Sequence, residues 1–330
     1  MINWQQFWQH RKVGNIALLP LSALFYTLTT VRRACYRFGI LKTEKAPLPI
    51  VVVGNINVGG AGKTPLVIAL GKLLAQNGIN YAVISKGYGG NYNMPTVVSS
   101  GDTADKVGDE PLLIKLKCAC PVVVAKSRIE AARLVARQFS ETQIILSDDG
   151  LQHYQLHRDM EICVINDSIG LGNGWLLPAG GLRESPARLN RVDFVVHNSV
   201  SEQTVKHNYF LTDRGWYHIN SGKRRYHDEF SNDKSQNLAI SGIAHPALFF
   251  QRLSTLGIYA ETQPLPDHYA ISANDLPADK TVLMTEKDWV KAKAFRHDDA
   301  WFLAVEAILS QPLQHDFLQK AILLIDKKSY

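Results

Sequence analysis

Cysteine is scarce in this 330-residue chain, and the positions of the few cysteines exclude the familiar cysteine-based sites. None of them forms a C-x-x-C pair or stands at metal-ligand spacing from histidines; they are Cys35, Cys118, Cys120 and Cys163. We therefore expect no structural zinc site and interpret all four as buried thiols in a reducing compartment. Internal repeats and low-complexity tracts are also absent, and 46% apolar with 20% charged residues is typical of a folded globular protein.

Excess charge is missing from most of the chain. The net charge of +6 belongs to residues 1–48, which hold seven lysines and arginines against one glutamate, Glu44. The rest of the chain holds 29 basic and 29 acidic side chains. A nucleic-acid-binding surface needs clustered positive charge on the folded domain. The sequence therefore predicts no nucleic-acid partner.

Charge of either sign is absent from Val13 to Val31, a run at the lower length limit for a membrane span. Pro20 and several polar residues weaken a spanning interpretation. A cleaved signal peptide is disfavoured because Arg32 and Arg33 follow at once, with no small-residue cleavage site. A helix packed on the main domain stays open as an alternative.

We favour a helix that lies in the membrane interface. At helical spacing, apolar side chains gather on one side of the run: Leu18, Leu21, Leu24, Phe25, Leu28 and Val31. Polar side chains gather on the other: Ser22, Tyr26, Thr29, Thr30 and Arg33. Nearby aromatic and arginine side chains suit a boundary with anionic headgroups. Residues 1–46 are thus predicted to be a peripheral anchor on the cytoplasmic leaflet.

After Pro47, short runs rich in valine and isoleucine alternate with helical stretches, which is typical of an α/β fold whose parallel sheet is covered by helices. The predicted strands are 48–56, 81–85, 122–125, 144–146, 162–165, 194–197, 238–241, 281–285 and 301–305. The predicted helices are 66–76, 127–139, 246–256 and 287–295.

Two α/β units follow from this pattern. We predict a core domain at 47–208, a linker of two short strands at 209–229, a smaller α/β domain at 230–310 and a C-terminal helix at 311–330. The linker is inferred from a polar, weakly patterned stretch between the two units.

The stretch "GNINVGGAGKTP" lacks one residue of the usual phosphate-loop pattern, G-x-x-x-x-G-K-[ST], because Asn57 stands where the first glycine belongs. Its context is right, since it follows a strand and opens a helix that tolerates Pro65 in its first turn. Backbone amides can then curl round phosphates, with Lys63 on the terminal phosphates and Thr64 on Mg²⁺. The core is therefore predicted to resemble P-loop NTPases and to bind the phosphates of a nucleotide through Asn57, Val58, Gly59, Gly60, Ala61, Gly62, Lys63 and Thr64.

A second acidic group usually organises the metal in such sites. Asp148 and Asp149 follow an apolar strand, where adjacent carboxylates are costly unless a cation compensates them. We assign them, with Thr64, to Mg²⁺; a plain Asp-Gly turn is the alternative.

The order of motifs resembles one family, the tetraacyldisaccharide 4′-kinases of lipid A biosynthesis. The matching segments, which end near residue 293, are GNINVGGAGKTP, SKGYGG, VGDEP, DDGLQH, LLPAGGLRE, GIAHPALFF, LPDHY and MTEKD. Members of that family also lack the first standard glycine, so Asn57 is normal there.

The resemblance implies transfer of the ATP γ-phosphoryl group to the 4′-hydroxyl of a lipid disaccharide 1-phosphate at the cytoplasmic face of the bacterial inner membrane. It implies two α/β/α domains with the active site between them and no obligate protein partner. Asp109 matches the family's catalytic aspartate, and His245 matches a histidine partner from the other domain, meeting it on domain closure; Lys63 completes the catalytic set. Lower-ranked candidates for substrate contact are Lys86, Tyr88, Glu110, His153 and Arg183.

Two positions depart from the family pattern. Lys86 replaces the usual arginine, which keeps the charge but loses the planar fork, and Gly181 replaces a proline. Two other functions stay open: a nucleotide-hydrolysing switch with a G-G-x-G-K-T loop, and a membrane-bound scaffold with an inactive loop. Val58 argues against the switch, which often has lysine there, and the intact Lys63, Thr64 and Asp149 argue against the scaffold.

Overall fold

The computed structural model describes residues 4–199 and 205–327. Its helices are α1 Trp4–Phe7, α2 Val13–Ala17, α3 Leu19–Arg37, α4 Lys63–Gln76, α5 Ala104–Val107, α6 Asp109–Lys117, α7 Arg128–Gln138, α8 Pro246–Thr255, α9 Glu286–Ala292 and α10 Gln311–Asp326. Its strands are β1 Ile50–Gly54, β2 Tyr81–Ser85, β3 Thr96–Val97, β4 Val122–Val124, β5 Ile144–Asp148, β6 Met160–Asn166, β7 Phe194–Ser199, β8 Asn208–His218, β9 Arg224–Arg225, β10 Asn237–Ser241, β11 Glu261–Pro264, β12 Thr281–Thr285 and β13 Ala300–Leu309.

One continuous sheet joins these strands, which confirms the mixed α/β class with a large, mainly parallel sheet. Its order is β11-β10-β12-β13-β8-β7-β6-β1-β5-β2-β4-β3, with β9 beside β8. The buried strands β1, β2 and β5 have no exposed residue, as expected for strands covered on both faces. Their side chains fill two apolar clusters on opposite faces, one of which includes Leu66, Leu70 and Leu74 of α4.

The segment predicted as a linker, 209–229, has a different structure from the one expected. Instead of two short strands, it contains the eleven-residue β8 and the two-residue β9. β8 is parallel to β7 but antiparallel to β13, whereas β10, β11, β12 and β13 are parallel to one another. Strands from both predicted domains thus belong to one sheet, and the division into two domains stays a prediction.

Two sets of parallel strands meet at β8: the first contains β7 and its parallel neighbours, and the second contains β10 to β13. Because β13 is antiparallel to β8, the carboxyl ends of the two sets point toward each other. The carboxyl end of β7 pairs with β8 near Phe210, and β13 pairs with both Trp216 of β8 and the carboxyl end of β12. Six residues of strand separate those two levels, which is about 20 Å at ~3.3 Å per residue. Because the two sets of strands run in opposite directions, their carboxyl ends face each other across that gap.

The N-terminal helices lie on the protein through polar contacts. Ser22 of α3 is buried, donates to the carbonyl of Leu176 at 2.9 Å and accepts from the amide of Ala179 at 3.0 Å. Asn15 is buried and donates to the carbonyl of Ala179 at 2.9 Å. The opposite side of α3 exposes its apolar residues, with Leu24 55% and Leu28 60% exposed. Among the described helices, none is both long and apolar enough to span a bilayer.

The C-terminal helix packs on the core rather than on the second set of strands alone. Leu313, Phe317 and Ala321, spaced four residues apart, are fully buried in the same apolar cluster as α4. Helix α10 therefore covers the same face of the sheet as α4, the helix that follows the glycine loop.

We expect Phe317→Ala to lower the free energy of unfolding by about 3–5 kcal/mol, because it removes a large buried side chain and leaves a cavity. Urea denaturation followed by circular dichroism measures the change. Leu323→Ala on the same helix is the matched control, since Leu323 is 58% exposed and its loss should cost little. Equal effects of the two variants would contradict this packing.

Candidate active site

The glycine loop leaves β1 and enters α4 through glycines in the left-handed region. Gly59 has a φ of 109° and Gly62, the residue before the helix, has a φ of 90°. A Cβ at Gly62 would lie 2.3 Å from the hydroxyl of Tyr209 and 2.4 Å from Nδ2 of Asn198. Only glycine fits there, on grounds of both backbone conformation and space.

Asn57 is buried behind this loop, where its side chain makes structural contacts. It donates to the carbonyl of Gly170 at 3.3 Å and accepts from Nδ2 of Asn55 at 3.1 Å, while its backbone bridges to Leu182. The amide of Val58 donates to the carbonyl of Gly181 at 2.8 Å. Asn57 thus fixes the entry of the loop, and the cavity wall begins at Val58.

Lys63 lies between an amide and a carboxylate. Its Nζ is 3.1 Å from Oδ1 of Asn55 and 3.3 Å from Oδ1 of Asp149, and Arg183 lies 3.8 Å from the other oxygen of that carboxylate. Burial alone would raise the pKa of Asp149, but the charges of Lys63 and Arg183 outweigh burial and lower it. Asp149 has a φ of 48°, which is uncommon for a residue with a side chain.

Thr64 and Asp148 meet beneath the loop. The hydroxyl of Thr64 is 3.4 Å from Oδ2 of Asp148, which is completely buried at the end of β5. Oδ1 of Asp148 has no hydrogen-bond partner within the described residues. Burial is the main cause that raises the pKa of Asp148, and the negative charge of the nearby Glu110 is the second. A buried carboxylate oxygen without a partner, beside a hydroxyl, is a suitable ligand set for a divalent cation.

The expected pairing of Asp109 with His245 is corrected by the structure. Asp109 is buried at the start of α6, and Nδ1 of His268 lies 3.0 Å from its Oδ2. Lys287 is 3.7 Å from the same oxygen. His268 follows β11 and Lys287 follows β12, so both reach Asp109 across the gap between the carboxyl ends of the two sets of strands.

These contacts set the charge of the pair. Burial would raise the pKa of Asp109, but the hydrogen bond with His268 and the charge of Lys287 lower it overall. The same hydrogen bond raises the pKa of His268 despite partial burial. The contacts therefore favour the ionised form of Asp109 and the protonated form of His268.

His245 instead lies over the glycine loop. Its Nε2 would be 3.1 Å from a Cβ at Gly59, and the ring also approaches Gly60. Burial lowers the pKa of His245, so its ring is neutral at neutral pH. The structure therefore places His245 at the glycine loop.

The lower-ranked candidates all line one cavity of about 1260 Å³: Lys86, Tyr88, Glu110, His153 and Arg183. The Tyr88 ring lies 4.9 Å from that of His268, and Glu110 accepts from Lys287 at 3.2 Å. Burial and neighbouring arginines lower the pKa of His153 to about 4. The cavity is also lined by Gly59–Thr64, Asp149, His245, His268 and Lys287, whereas Asp109 and Asp148 are buried behind its wall.

Sequence reasoning missed three residues of this site. His268 and Lys287 stand in the segments LPDHY and MTEKD, which carried the resemblance, yet neither received a role. Lys287 could have been found from the sequence, because it comes just after the predicted strand 281–285. His268 could not, because the strand before it, β11, was not predicted. Arg128 was also missed; it is buried and donates to the carbonyls of Asp148 at 3.0 Å and Asp149 at 2.6 Å.

Comparisons with known proteins agree on one family. A family model described as LpxK, tetraacyldisaccharide-1-P 4′-kinase, matches residues 14–323. A tetraacyldisaccharide 4′-kinase of Shewanella halifaxensis is 42% identical over 99% of this chain and 100% of its own length. The corresponding protein of Idiomarina loihiensis is 40% identical, covering 91% of each chain.

A solved structure is also similar. It is the apo form of LpxK from Aquifex aeolicus in complex with ATP, with a TM-score of 0.76 and 28% identity over 95% of this chain and 99% of that one. The matched family model spans the glycine loop, Asp109, His268 and Lys287. This chain therefore belongs to the tetraacyldisaccharide-1-P 4′-kinase family.

Proposed function

We propose that this protein transfers the γ-phosphoryl group of ATP to the 4′-hydroxyl of a tetraacyldisaccharide 1-phosphate, a step of lipid A biosynthesis. The observation that carries the proposal is the hydrogen bond between buried Asp109 and His268, because His268 lines the same cavity as the glycine loop. The first set of strands supplies the loop and the second supplies His268. The phosphoryl donor, ATP, and the phosphoryl acceptor, the sugar hydroxyl, can therefore meet between them.

ATP binds with its phosphates on the loop amides of residues 59–64 and on Lys63. Thr64 and Asp148 would hold Mg²⁺, with Asp149 beside them, because they offer a hydroxyl and a buried unpaired carboxylate oxygen. Mg²⁺ held there would offset the negative charge of the phosphates. Lys63 is then drawn from Asn55 and Asp149 toward the phosphates.

Asp109 acts on the sugar. It accepts a hydrogen bond from the 4′-hydroxyl and takes its proton as the new oxygen–phosphorus bond forms and the bond to the ADP leaving group breaks. His268 and Lys287 hold the carboxylate in place and keep it ionised. The role first assigned to His245 passes to His268, and His245 is left to contact the phosphate region.

The N-terminal segment presents the enzyme to its lipid. Exposed apolar side chains on α2 and α3 suit an acyl-chain boundary and include Val13, Ile16, Leu21, Leu24, Leu28 and Val31. We place this face in the cytoplasmic leaflet of the inner membrane as a peripheral anchor. The acyl chains of the substrate stay in the bilayer while the sugar reaches the cavity.

Labelled ATP and the lipid disaccharide 1-phosphate in detergent test the main proposal, with product identified by mass spectrometry. We expect a 4′-phosphorylated product, and little ATP hydrolysis without the lipid. Asp109→Asn is expected to lower kcat by roughly 10²- to 10⁴-fold while ATP binding stays near that of the wild type. Lipid-independent hydrolysis with no phosphorylated lipid would favour a nucleotide switch instead.

The pH dependence of kcat separates the roles of the two histidines. In His268→Ala, Asp109 loses the hydrogen bond that favours its ionised form, so its pKa rises and the acid limb of the profile moves to higher pH. His245→Ala, the matched variant, leaves Asp109 and that limb unchanged. An acid limb that moves in His245→Ala but not in His268→Ala would restore the original pairing.

The anchor is tested by paired charge substitutions. Leu24→Glu with Leu28→Glu places two carboxylates on the exposed face of α3, and we expect more than a tenfold loss of sedimentation with anionic phospholipid vesicles. Ile322→Glu with Leu323→Glu makes the same chemical change on exposed positions of α10 and should leave sedimentation intact. An equal loss in both would show that charge, and not this face, matters.

A further inference from the structure

The carbonyl groups of the glycine loop have side-chain donors behind them. Nδ2 of Asn166 lies 3.5 Å from the carbonyl oxygen of Gly60, and Nδ2 of Asn198 lies 3.2 Å from that of Ala61. The hydroxyl of Tyr209 donates to the carbonyl of Gly62 at 2.6 Å. These donors come from the adjoining ends of three neighbouring strands, β6, β7 and β8.

A trans peptide links the direction of each carbonyl to that of the next amide. The C=O of one residue and the N–H of the following residue point to opposite sides of the chain. Holding the carbonyls of Gly60, Ala61 and Gly62 from behind therefore directs the amides of residues 61–63 toward the cavity. Within residues 4–199 and 205–327, the amides of residues 59–64 donate to no protein acceptor.

Tyr209 is the best placed of the three donors. It is fully buried, its hydroxyl makes the shortest of these bonds, and burial raises its pKa so that the hydroxyl stays protonated as a donor. Its ring is absent from the cavity wall, so it acts only through the loop. The carbonyl it holds belongs to Gly62, whose following amide is that of Lys63.

We infer that Tyr209, with Asn198 beside it, is a positioning residue that aims the phosphate-binding amides of the loop. The inference rests on the proposed assignment of this loop to the ATP phosphates. If the Gly62–Lys63 peptide could rotate freely, each binding event would lose conformational entropy in ordering it. The hydrogen bond from the tyrosine hydroxyl orders the peptide before the ligand binds. β8 carries Tyr209 and also joins the two sets of strands, so the join itself helps to shape the phosphate site.

Tyr209→Phe removes the hydroxyl and keeps the ring. By isothermal titration calorimetry we expect the Kd of ATP and ADP with Mg²⁺ to rise about tenfold, the effect of one lost hydrogen bond. Adenosine has no phosphate, and its binding by saturation-transfer NMR should be unchanged, as should the KM for the lipid. Tyr217→Phe on the same strand is the matched control, because its hydroxyl lies at the surface, 3.5 Å from the carbonyl of Arg214.

Asn198→Ala gives a second measurement for the case in which Tyr209→Phe does not fold, although Asn198, unlike Tyr209, also lines the cavity. We expect the same pattern, with phosphate-bearing ligands weakened and adenosine unaffected. Variants that fold and bind ATP like the wild type, or that lose adenosine and ATP equally, would overturn the inference. A wild-type protein that binds no ATP at all would overturn the proposed function instead.

Discussion

The glycine loop, which we propose to bind phosphate through its backbone amides, must be held from behind, and much of this molecule is arranged to do so. Amides can face a ligand only if the alternating carbonyls find partners on the other side. Here Asn55, Asn166 and Asn198, at the carboxyl ends of β1, β6 and β7, and Tyr209, at the start of β8, supply the donors. Parallel strands bring such ends to one edge, which is why ligand sites form there.

The long strand β8 decides what faces that edge. Because it continues past β7 and pairs antiparallel with β13, a second set of parallel strands is brought in with reversed direction. Its carboxyl ends then present His245, His268 and Lys287 to the first set. Charge balance follows from this arrangement, since Lys287 meets Asp109 and Glu110 of the first set and Asp267 of its own set.

Local patterns predicted the strands and the loop well, because short valine-rich runs and a glycine loop before a helix have few other interpretations. The strands 81–85 and 281–285 have the predicted bounds. The partner of Asp109 was wrong because it depends on β11, whose sequence ETQP is polar, exposed at the edge of the sheet and ends in proline. The extent of β8 was also missed, since its pairing with β13 joins residues about 90 positions apart and leaves no local signal.

Asn57, which breaks the standard loop pattern, is explained by what lies behind the loop. Its side chain and backbone bind the segment 170–182, and the same segment accepts or donates six hydrogen bonds with Trp8, Arg11, Asn15 and Ser22 of the N-terminal segment. A glycine at position 57 would keep the backbone bridge but lose both side-chain bonds. The residue that departs from the general rule therefore fastens the phosphate loop to the surface on which the N-terminal helices rest.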